Sequence, residues 1–445
     1  MIDVRDNHDA LLCQRLEALT ESKEDYWSFR GNSRREYGHG LFQYPAMMVP
    51  QLAGIVLAEA CAVHPDIGRV CDPFAGSGTI MTESMFRGLS FTGCDINPLA
   101  ILLCRVKSGP FFMSALEQKV QELLGRINGD KSTAVEINFP NIDKWFEKDV
   151  QQSLSRLRRS ILLEKSGWAR RFFWVALAET VRLTSNSRTS TFKLHIRTEE
   201  NIASRQHDAI GMFKKALERN VEHYRMQEAQ MSESGLMMRG RYSREVEVLL
   251  SDAADVRVEE QCDMLVTSPP YGDNTSTVPY GQYSYLPLQW IDLRDIDPKI
   301  DPECLRTTQE IDRRSLGGCT RVTKEEQALI SSRSPKFADY IQSLASQPPD
   351  RANRVTAFIR DLEATLGSIM KMVCPGGIMV WILGNRKVGG QRVPFDAILS
   401  ELLTSHGAKR LCQLTRRISS KRMAFKNSIA DTMSRETILV MRKGE

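Results

Sequence analysis

The fold follows from one stretch, Val70-Cys71-Asp72-Pro73-Phe74-Ala75-Gly76-Ser77-Gly78-Thr79. A short apolar run ends at the acidic Asp72, a turn of small residues follows, and the pattern from Thr79 to Phe86 indicates a helix. The stretch therefore predicts a strand, a tight glycine loop and a helix. Gly76 and Gly78 can adopt positive φ, and a helix start presents free N–H groups, so the loop can hold a polar cofactor. A glycine turn that merely closes a strand-helix connection is the alternative.

A second apolar run, Ser90-Phe91-Thr92-Gly93-Cys94-Asp95, ends in another acid 23 residues after Asp72. In nucleotide-binding α/β sheets, an acid at the end of the second strand accepts hydrogen bonds from ribose hydroxyls. The loop lacks the GxGxxG fingerprint of dinucleotide sites, and no lysine follows Gly78, which argues against nucleotide hydrolysis. The two acids together predict a cofactor site at this edge of the sheet.

Two motifs resemble those of the S-adenosylmethionine-dependent DNA amino-methyltransferases, which modify exocyclic amines of nucleobases. The stretch 72–79, with Asp95-Ile96-Asn97-Pro98 after it, resembles their cofactor loop. Their catalytic motif is similar to Thr267-Ser268-Pro269-Pro270-Tyr271. The order is the expected one, and the resemblance covers residues 26–109 and 246–445. It implies a Rossmann-like class I methyltransferase, an α/β fold with a mostly parallel seven-stranded sheet.

The remaining pattern completes this alternation. Further strands are predicted at 246–253, 263–267, 378–383, 410–415 and 436–441, and helices at 352–373 and 395–406. A turn at Pro375-Gly376-Gly377 leads into the fifth strand, and a long polar and aromatic loop is expected from Gly272 to Cys319.

Three parts of the chain are expected. An aromatic and basic N-terminal segment covers residues 1–44, and the methyltransferase domain covers 45–109 and 246–445. Residues 110–245 interrupt the methyltransferase pattern with helical spacing, so they predict a largely helical insertion. Either this insertion or the segment 272–320 is expected to recognise the target sequence.

The resemblance implies S-adenosyl-L-methionine as the cofactor. It places Asp95 on the ribose, Asp252 near the adenine, and the segment from Pro45 to Pro50 at the methionine end, although Pro45 and Pro50 also fit a plain helix start. The candidate cofactor-binding residues are Pro45, Asp72, Phe74, Ala75, Gly76, Gly78, Thr79, Asp95, Asp252 and Ala253.

Methyl transfer to an exocyclic amine is an in-line displacement, so the amine must be oriented near the methyl group. Ser268 Oγ and the Pro269 carbonyl can accept hydrogen bonds from such an amine, and Pro270 stiffens the turn. Tyr271 offers a face on which a flipped base can stack. These four residues are the candidate catalytic residues, with a plain loop at a strand end as the alternative.

Serine before the diproline is the form more usual in cytosine-N4 enzymes, whereas aspartate or asparagine is more usual in adenine-N6 enzymes. The sequence therefore favours cytosine-N4 over adenine-N6. Carbon-5 methylation requires a nucleophilic cysteine, usually in a Pro-Cys dipeptide, which this chain lacks. An RNA base amino-methyltransferase and a non-catalytic DNA-binding protein that uses the cofactor as an effector are the remaining alternatives.

The positive charge is unevenly distributed. The net charge is +5, and residues 151–245 hold 18 Lys and Arg against 10 Asp and Glu. A second basic stretch contains the candidate nucleic-acid-binding residues Arg416, Arg417, Lys421 and Arg422. Such asymmetry favours a polyanionic partner, here duplex DNA, although a solvated basic helix face is the alternative. The resemblance also implies a companion restriction endonuclease as a functional partner.

Composition sets the remaining limits. The chain is 42% hydrophobic and 26% charged, which is typical of a globular protein. No apolar run approaches the roughly 18 to 20 residues of a membrane helix, so a cytoplasmic protein is expected. Ten cysteines without a CxxC pair indicate reduced thiols, and the isolated histidines predict no metal site.

Overall fold

The structure is a computed structural model that describes residues 4–22, 25–205, 208–274, 277–418 and 435–445. It contains a seven-stranded sheet with the spatial order β6-β7-β5-β4-β1-β2-β3, in which β7 is antiparallel to β5 and β6 and the other pairings are parallel. The predicted mostly parallel α/β sheet is confirmed. Its strands are β1 (Arg69–Asp72), β2 (Ser90–Asp95), β3 (Val246–Leu250), β4 (Cys262–Thr267), β5 (Val373–Gly384), β6 (Ala408–Arg417) and β7 (Arg435–Lys443).

Helices surround the sheet and fill the insertion. Within the described residues, no helix combines the length and apolarity needed to cross a lipid bilayer. The α-helices are α1 (Val4–Ser22), α2 (Pro50–Val63), α3 (Thr79–Met85), α4 (Pro98–Lys107), α5 (Met113–Gly129), α6 (Ile142–Trp145), α7 (Lys148–Leu162), α8 (Gly167–Thr184), α9 (Glu199–Ala203), α10 (Ala209–Glu233), α11 (Tyr280–Trp290), α12 (Leu293–Ile296), α13 (Glu310–Arg314), α14 (Lys324–Arg333), α15 (Pro335–Ser343), α16 (Pro349–Met372) and α17 (Phe395–Ser405).

Strand β5 shows how the sheet separates two hydrophobic cores, because alternate side chains of a strand point to opposite faces. Val380 and Ile382 join a core that includes α2, α4 and the insertion helices. Met379 and Trp381 join a second core with α16 and α17. The molecule is thus a helix-sheet-helix sandwich, the architecture that buries both faces of a parallel sheet.

The sheet brings several strand ends to one edge. Strands β1, β2 and β4 end there at Asp72, Asp95 and Thr267, and β6 also ends there. Strand β7 runs in the opposite direction, so its first residues, including Glu436, lie at the same edge. Ligands of open α/β sheets bind at the carboxyl ends of the strands, and this edge carries the predicted motifs.

The insertion is helical as predicted and packs directly on the sheet-bearing part of the chain. Helix α8 contacts α4, α10 and α11, and its apolar residues belong to the same core as β1 and β5. Tyr224 of α10 stacks on Phe111 with ring centroids 4.6 Å apart. The insertion therefore extends an existing core.

The prediction of a long loop from Gly272 to Cys319 is wrong. Residues 280–290 form α11, with Tyr283 and Trp290 buried against aromatic side chains of the N-terminal segment and of the insertion. The aromatic residues that suggested an exposed loop are core residues. Pro287 lies inside this helix, where its missing N–H weakens the local sequence signal for a helix.

The fifth strand also begins earlier than predicted. Pro375 to Gly377, expected as a turn, lies within β5, which starts at Val373. The pairing of β4 with β5 shifts register between Cys262 and Met264, where β5 advances by five residues, from Val373 to Ile378, against two on β4. The irregularity contains the Pro-Gly-Gly sequence, which normally interrupts strands.

Candidate active site

Two carboxylates hold the loop between β1 and α3. Asp72 Oδ1 accepts hydrogen bonds from the Phe74 backbone N–H (3.0 Å) and from the Thr267 hydroxyl (2.6 Å). Asp95 Oδ2 accepts one from the Gly76 N–H at 2.8 Å. Gly76 has φ of +50°, a left-handed conformation that favours glycine. The protein's own groups therefore fix this turn against the ends of β1, β2 and β4.

Both carboxylates are in an environment that disfavours their charge. Burial raises the pKa of Asp72 to about 7, against the lowering effect of its hydrogen bonds from Thr267 and Phe74. Burial likewise raises the pKa of Asp95 to about 6, although backbone N–H groups stabilise the ionised form. These described hydrogen-bond donors are neutral, so a bound cation would favour ionisation of both groups. The loop suits a ligand that combines positive charge with hydroxyl donors.

The two predicted motifs line one cavity of about 440 Å³. Small-molecule sites commonly have volumes of about 300 to 1,000 Å³. All four candidate catalytic residues, Ser268 to Tyr271, line this cavity. So do nine of the ten candidate cofactor residues, namely Pro45, Asp72, Phe74, Ala75, Gly76, Thr79, Asp95, Asp252 and Ala253.

Gly78 is the candidate cofactor residue outside the cavity lining. It adopts φ of +74° directly before α3, and a Cβ at this position would lie 2.9 Å from Cys104 Sγ. Glycine is therefore required here by backbone conformation and by close packing against α4. Gly78 supports the loop from behind the cavity wall.

The catalytic motif continues into a chain of hydrogen bonds. Ser268 Oγ and the Tyr271 hydroxyl are 3.1 Å apart, and the Tyr271 hydroxyl donates to Glu436 Oε1 at 3.1 Å. Glu436 Oε2 accepts a hydrogen bond from Arg416 Nε at 2.6 Å. All four residues line the cavity. The motif after β4 is thereby connected to β6 and β7.

Sequence reasoning missed several residues of the cavity wall. The Tyr44 ring stacks on Tyr280 with centroids 5.8 Å apart. Asn97 Nδ2 donates hydrogen bonds to the Tyr44 hydroxyl (3.0 Å) and to Ser284 Oγ (2.8 Å). Position gave a signal for two of them, because Tyr44 precedes Pro45 and Asn97 belongs to the motif after β2. Glu436 had no such signal, since it lies in an ordinary strand far from both motifs.

The structure places Arg416 differently from the prediction of a DNA contact. Its side chain is 5% exposed, pairs with Glu436 and donates to the Trp27 carbonyl at 3.1 Å. An arginine that is buried and bonded on both sides is not available to a phosphate on the surface. Arg417 alternates to the outer face, is 58% exposed, and lies 3.7 Å from Asp25. The other two candidates, Lys421 and Arg422, lie outside the described residues.

Much of the positive charge of the insertion has structural partners. Arg159 donates to Asp130 at 2.8 Å, and Arg170 donates to Asp295 through Nε, also at 2.8 Å. The Arg182 guanidinium lies 3.8 Å from the centre of the Tyr283 ring. Arg219 pairs with Glu179. The surplus in 151–245 therefore overstates the charge that this surface can offer to a polyanion.

The side chains that commonly bind metal ions are not clustered in the part of the chain that the structure describes. Among the described residues, no group of three or more His, Cys, Asp or Glu is arranged to hold a metal ion. The ten cysteines are free thiols in the structure.

The predicted cofactor loop and the Ser268-Pro269-Pro270-Tyr271 motif line one cavity at the carboxyl edge of this sheet. No protein-family model matches the chain. A type II methyltransferase from Kocuria varians, M.MvaI, is 30% identical to it over 459 aligned positions, which cover 98% of this chain and 97% of the relative. The chain therefore belongs to the type II methyltransferases, a family of DNA methyltransferases.

Two other similarities are more limited. The type II methyltransferase M.MjaII from Methanocaldococcus jannaschii is 28% identical over 117 residues, covering 26% of this chain and 21% of the relative. A solved structure of the ribosomal RNA methyltransferase AviRa from Streptomyces viridochromogenes aligns with this chain with a TM-score of 0.32 and 12% sequence identity. The alignment covers 89% of this chain and 86% of the AviRa chain.

Proposed function

We propose that the protein transfers a methyl group from S-adenosyl-L-methionine to the N4 amine of cytosine in duplex DNA. The observation that carries this proposal is the shared cavity, in which the acidic glycine loop and Ser268-Pro269-Pro270-Tyr271 face the same space. One part of the cavity suits a cationic nucleoside, and the neighbouring part suits a planar base. In-line transfer requires this proximity.

The residues of the cavity fit S-adenosyl-L-methionine. The carboxylate of Asp95, at the end of β2, stands where ribose hydroxyls are bound in this kind of sheet, and Asp252 follows β3 beside it. The pKa values of Asp72 and Asp95 are raised by burial, so a positively charged ligand beside them would stabilise their ionised forms and would itself be bound more tightly. When bound, the cofactor supplies a methyl group on a positively charged sulfur.

Ser268 and Pro269 are proposed to orient the target amine. The Ser268 hydroxyl and the Pro269 carbonyl oxygen each offer lone pairs, so each can accept one N–H of an exocyclic amine. The Tyr271 ring offers a stacking face for a base removed from the duplex. No covalent intermediate is required, because the amine itself is the nucleophile.

Cytosine is preferred over adenine because a neutral serine precedes the diproline. Residues 110–245 are proposed as a DNA-binding or target-recognition subdomain, with Arg417, Lys421 and Arg422 as further phosphate contacts. These contacts would position the duplex without reading its sequence. Methylation of one specific site would protect host DNA from a companion restriction endonuclease, the role usual for this family.

Transfer of labelled methyl groups in vitro tests this function. Purified protein is incubated with labelled S-adenosyl-L-methionine and either duplex DNA or total RNA, and the products are digested to nucleosides and separated. Label in N4-methylcytosine from duplex DNA supports the proposal. Label in N6-methyladenine would overturn the choice of base, and label confined to RNA would overturn the choice of substrate.

A further inference from the structure

Glu436 lies where sequence motifs give no reason to expect a functional residue. It is the second residue of β7 and the cross-strand partner of Arg416. Its Oε2 accepts a hydrogen bond from the Arg416 guanidinium, and its Oε1 accepts one from the Tyr271 hydroxyl at 3.1 Å. The Tyr271 hydroxyl is in turn 3.1 Å from Ser268 Oγ. One carboxylate therefore terminates a chain that begins at the candidate amine acceptor.

The chain has a defined donor direction. An ionised carboxylate only accepts hydrogen bonds, and Glu436 is paired with Arg416. The phenol of Tyr271 must then donate its single proton to Glu436. Since that proton is used, the Tyr271 oxygen accepts the hydroxyl proton of Ser268, and both lone pairs of Ser268 Oγ are left for another partner.

Two further observations support this direction. Burial together with the charge of Glu436 raises the pKa of Tyr271 well above its usual value, so the phenol keeps the proton that it donates. Arg416 is itself held on its far side by the Trp27 carbonyl at 3.1 Å and is 5% exposed. The Arg416 guanidinium is therefore held in place beside Glu436.

We propose that Glu436 is a positioning residue that fixes the donor direction of the Tyr271-Ser268 chain and so makes Ser268 a hydrogen-bond acceptor for the target amine. The inference rests on the proposed function and deepens it. A free serine hydroxyl could equally donate its proton towards the amine nitrogen, which would occupy the lone pair needed for attack. Glu436 removes that alternative.

Glu436→Gln tests the inference while preserving the size of the side chain. A glutamine amide can donate to the Tyr271 oxygen, which leaves the phenol free to donate to Ser268 and reverses the chain. We expect kcat to fall about tenfold to a hundredfold, the scale of one lost hydrogen bond to a charged group. The dissociation constant of S-adenosyl-L-methionine should stay within about twofold, because the cofactor loop is untouched.

The matched control is Glu363→Gln. Glu363 is a carboxylate of similar accessibility, 7% exposed against 11% for Glu436, and is paired with Arg333 and His406, but it is not part of the cavity lining. Both variants lose the pairing of a mostly enclosed carboxylate with an arginine, so both should unfold at a lower temperature. Only Glu436→Gln should lower kcat.

A double-mutant cycle with Tyr271→Phe separates positioning from general weakening, because phenylalanine keeps the ring and removes the hydroxyl that links Glu436 to Ser268. We expect the double variant to be no slower than the slower single variant. The inference would be overturned if the fold-loss of kcat in the double variant equalled the product of the fold-losses in the two single variants. A Glu436→Gln enzyme that is folded and retains kcat within about twofold would also overturn it.

A spectroscopic readout does not depend on turnover. The Raman difference spectrum of wild type minus Tyr271→Phe reports whether the Tyr271 hydroxyl donates or accepts. In the wild type it should show the signature of a phenol that donates strongly to a carboxylate, and in the Glu436→Gln background that of a weaker donor to a neutral hydroxyl. An unchanged signature would overturn the inference. Identifying the methylated nucleoside in wild-type reactions tests the proposed function separately. The role of Glu436 is tested by the ratio of the variant rate to the wild-type rate, which can be measured whether the methylated amine belongs to cytosine or to adenine.

Discussion

The carboxylates in the two halves of the cavity have different hydrogen-bond partners. Asp72 and Asp95, in the half formed by β1 and β2, are held by neutral hydroxyl and backbone donors, and burial raises their pKa values. Glu436, in the half formed by β4, β6 and β7, is paired with Arg416. The carboxylates of the first half have no cationic partner among their hydrogen-bond donors, so a ligand could supply the positive charge. In the second half, Arg416 already balances the charge of Glu436. The difference suggests that one half binds a cation and the other orients hydroxyl groups.

Ser268→Ala should produce the largest effect, on transfer and not on binding. It removes the proposed amine acceptor from the neutralised half, so kcat should fall about 100-fold or more. Cofactor affinity, measured by calorimetry, should stay within about twofold of the wild type. A variant that loses both equally would contradict the division of the cavity into two functional halves.

Asp95→Asn should weaken cofactor binding by about 1.5 to 3 kcal/mol, the scale of a lost charge-assisted hydrogen bond. Asp263→Asn is the matched control. Asp263 accepts backbone hydrogen bonds from Gly68 (2.8 Å) and Arg69 (2.9 Å), as Asp95 does from Gly76 and Asn97, but it lies outside the cavity. Both variants should lose stability, and only Asp95→Asn should bind S-adenosyl-L-methionine more weakly.

The raised pKa values predict that cofactor affinity depends on pH. Asp72 and Asp95 ionise only as the pH rises through about 6 to 7, so binding of a cationic ligand should tighten about tenfold between mildly acidic and mildly alkaline buffer. S-adenosylhomocysteine, which lacks the sulfonium charge, should show a shallower dependence. Equal slopes for the two ligands in titration calorimetry would count against charge recognition by this half.

The same protonation has an opposite consequence for folding. A carboxyl with a raised native pKa binds its proton more tightly in the folded than in the unfolded state, so its contribution to stability is lost as the pH rises towards the native value. Wild type should therefore lose stability relative to Asp95→Asn as the pH increases from about 4 to about 6. Denaturant titrations of both proteins across this range measure the difference.

Arg417→Ala should give the smallest effect, because a solvent-exposed cation contributes little to a single contact. Affinity for duplex DNA should fall by about 0.5 to 1 kcal/mol, and the slope of log affinity against log salt should decrease by about one. Sequence preference should not change. Arg416→Ala, by contrast, should lower the melting temperature, since it removes a buried side chain and leaves the mostly enclosed Glu436 without its cationic partner.

The sequence predicted the parts of this site that are continuous in the chain. Asp72, Gly76 and Asp95 lie in two short strand-loop segments whose chemistry follows from local spacing, and Ser268 to Tyr271 form one uninterrupted motif. Glu436 could not be predicted, because it reaches Tyr271 only through the antiparallel placement of β7 beside β5. Such proximity depends on sheet topology.

Tertiary packing also overrode local signals in the segment after the catalytic motif. Tyr283 and Trp290 belong to a segment that was predicted as a polar and aromatic loop, yet their burial against the N-terminal segment and the insertion stabilises α11. Arg416 illustrates the same limit for charge. A cluster of basic residues in the sequence does not reveal that strand alternation turns Arg416 inward and Arg417 outward.

Methylation-aware sequencing of DNA from cells that express the protein tests the central claim most directly, because it reports the modified base, the atom and the site together. Cells that express the Ser268→Ala variant provide the matched control. The expected result is N4-methylcytosine at one recurrent sequence in wild-type cells and its absence in the control. N6-methyladenine at a recurrent sequence, or unmodified DNA from cells that contain folded, cofactor-binding protein, would contradict the account.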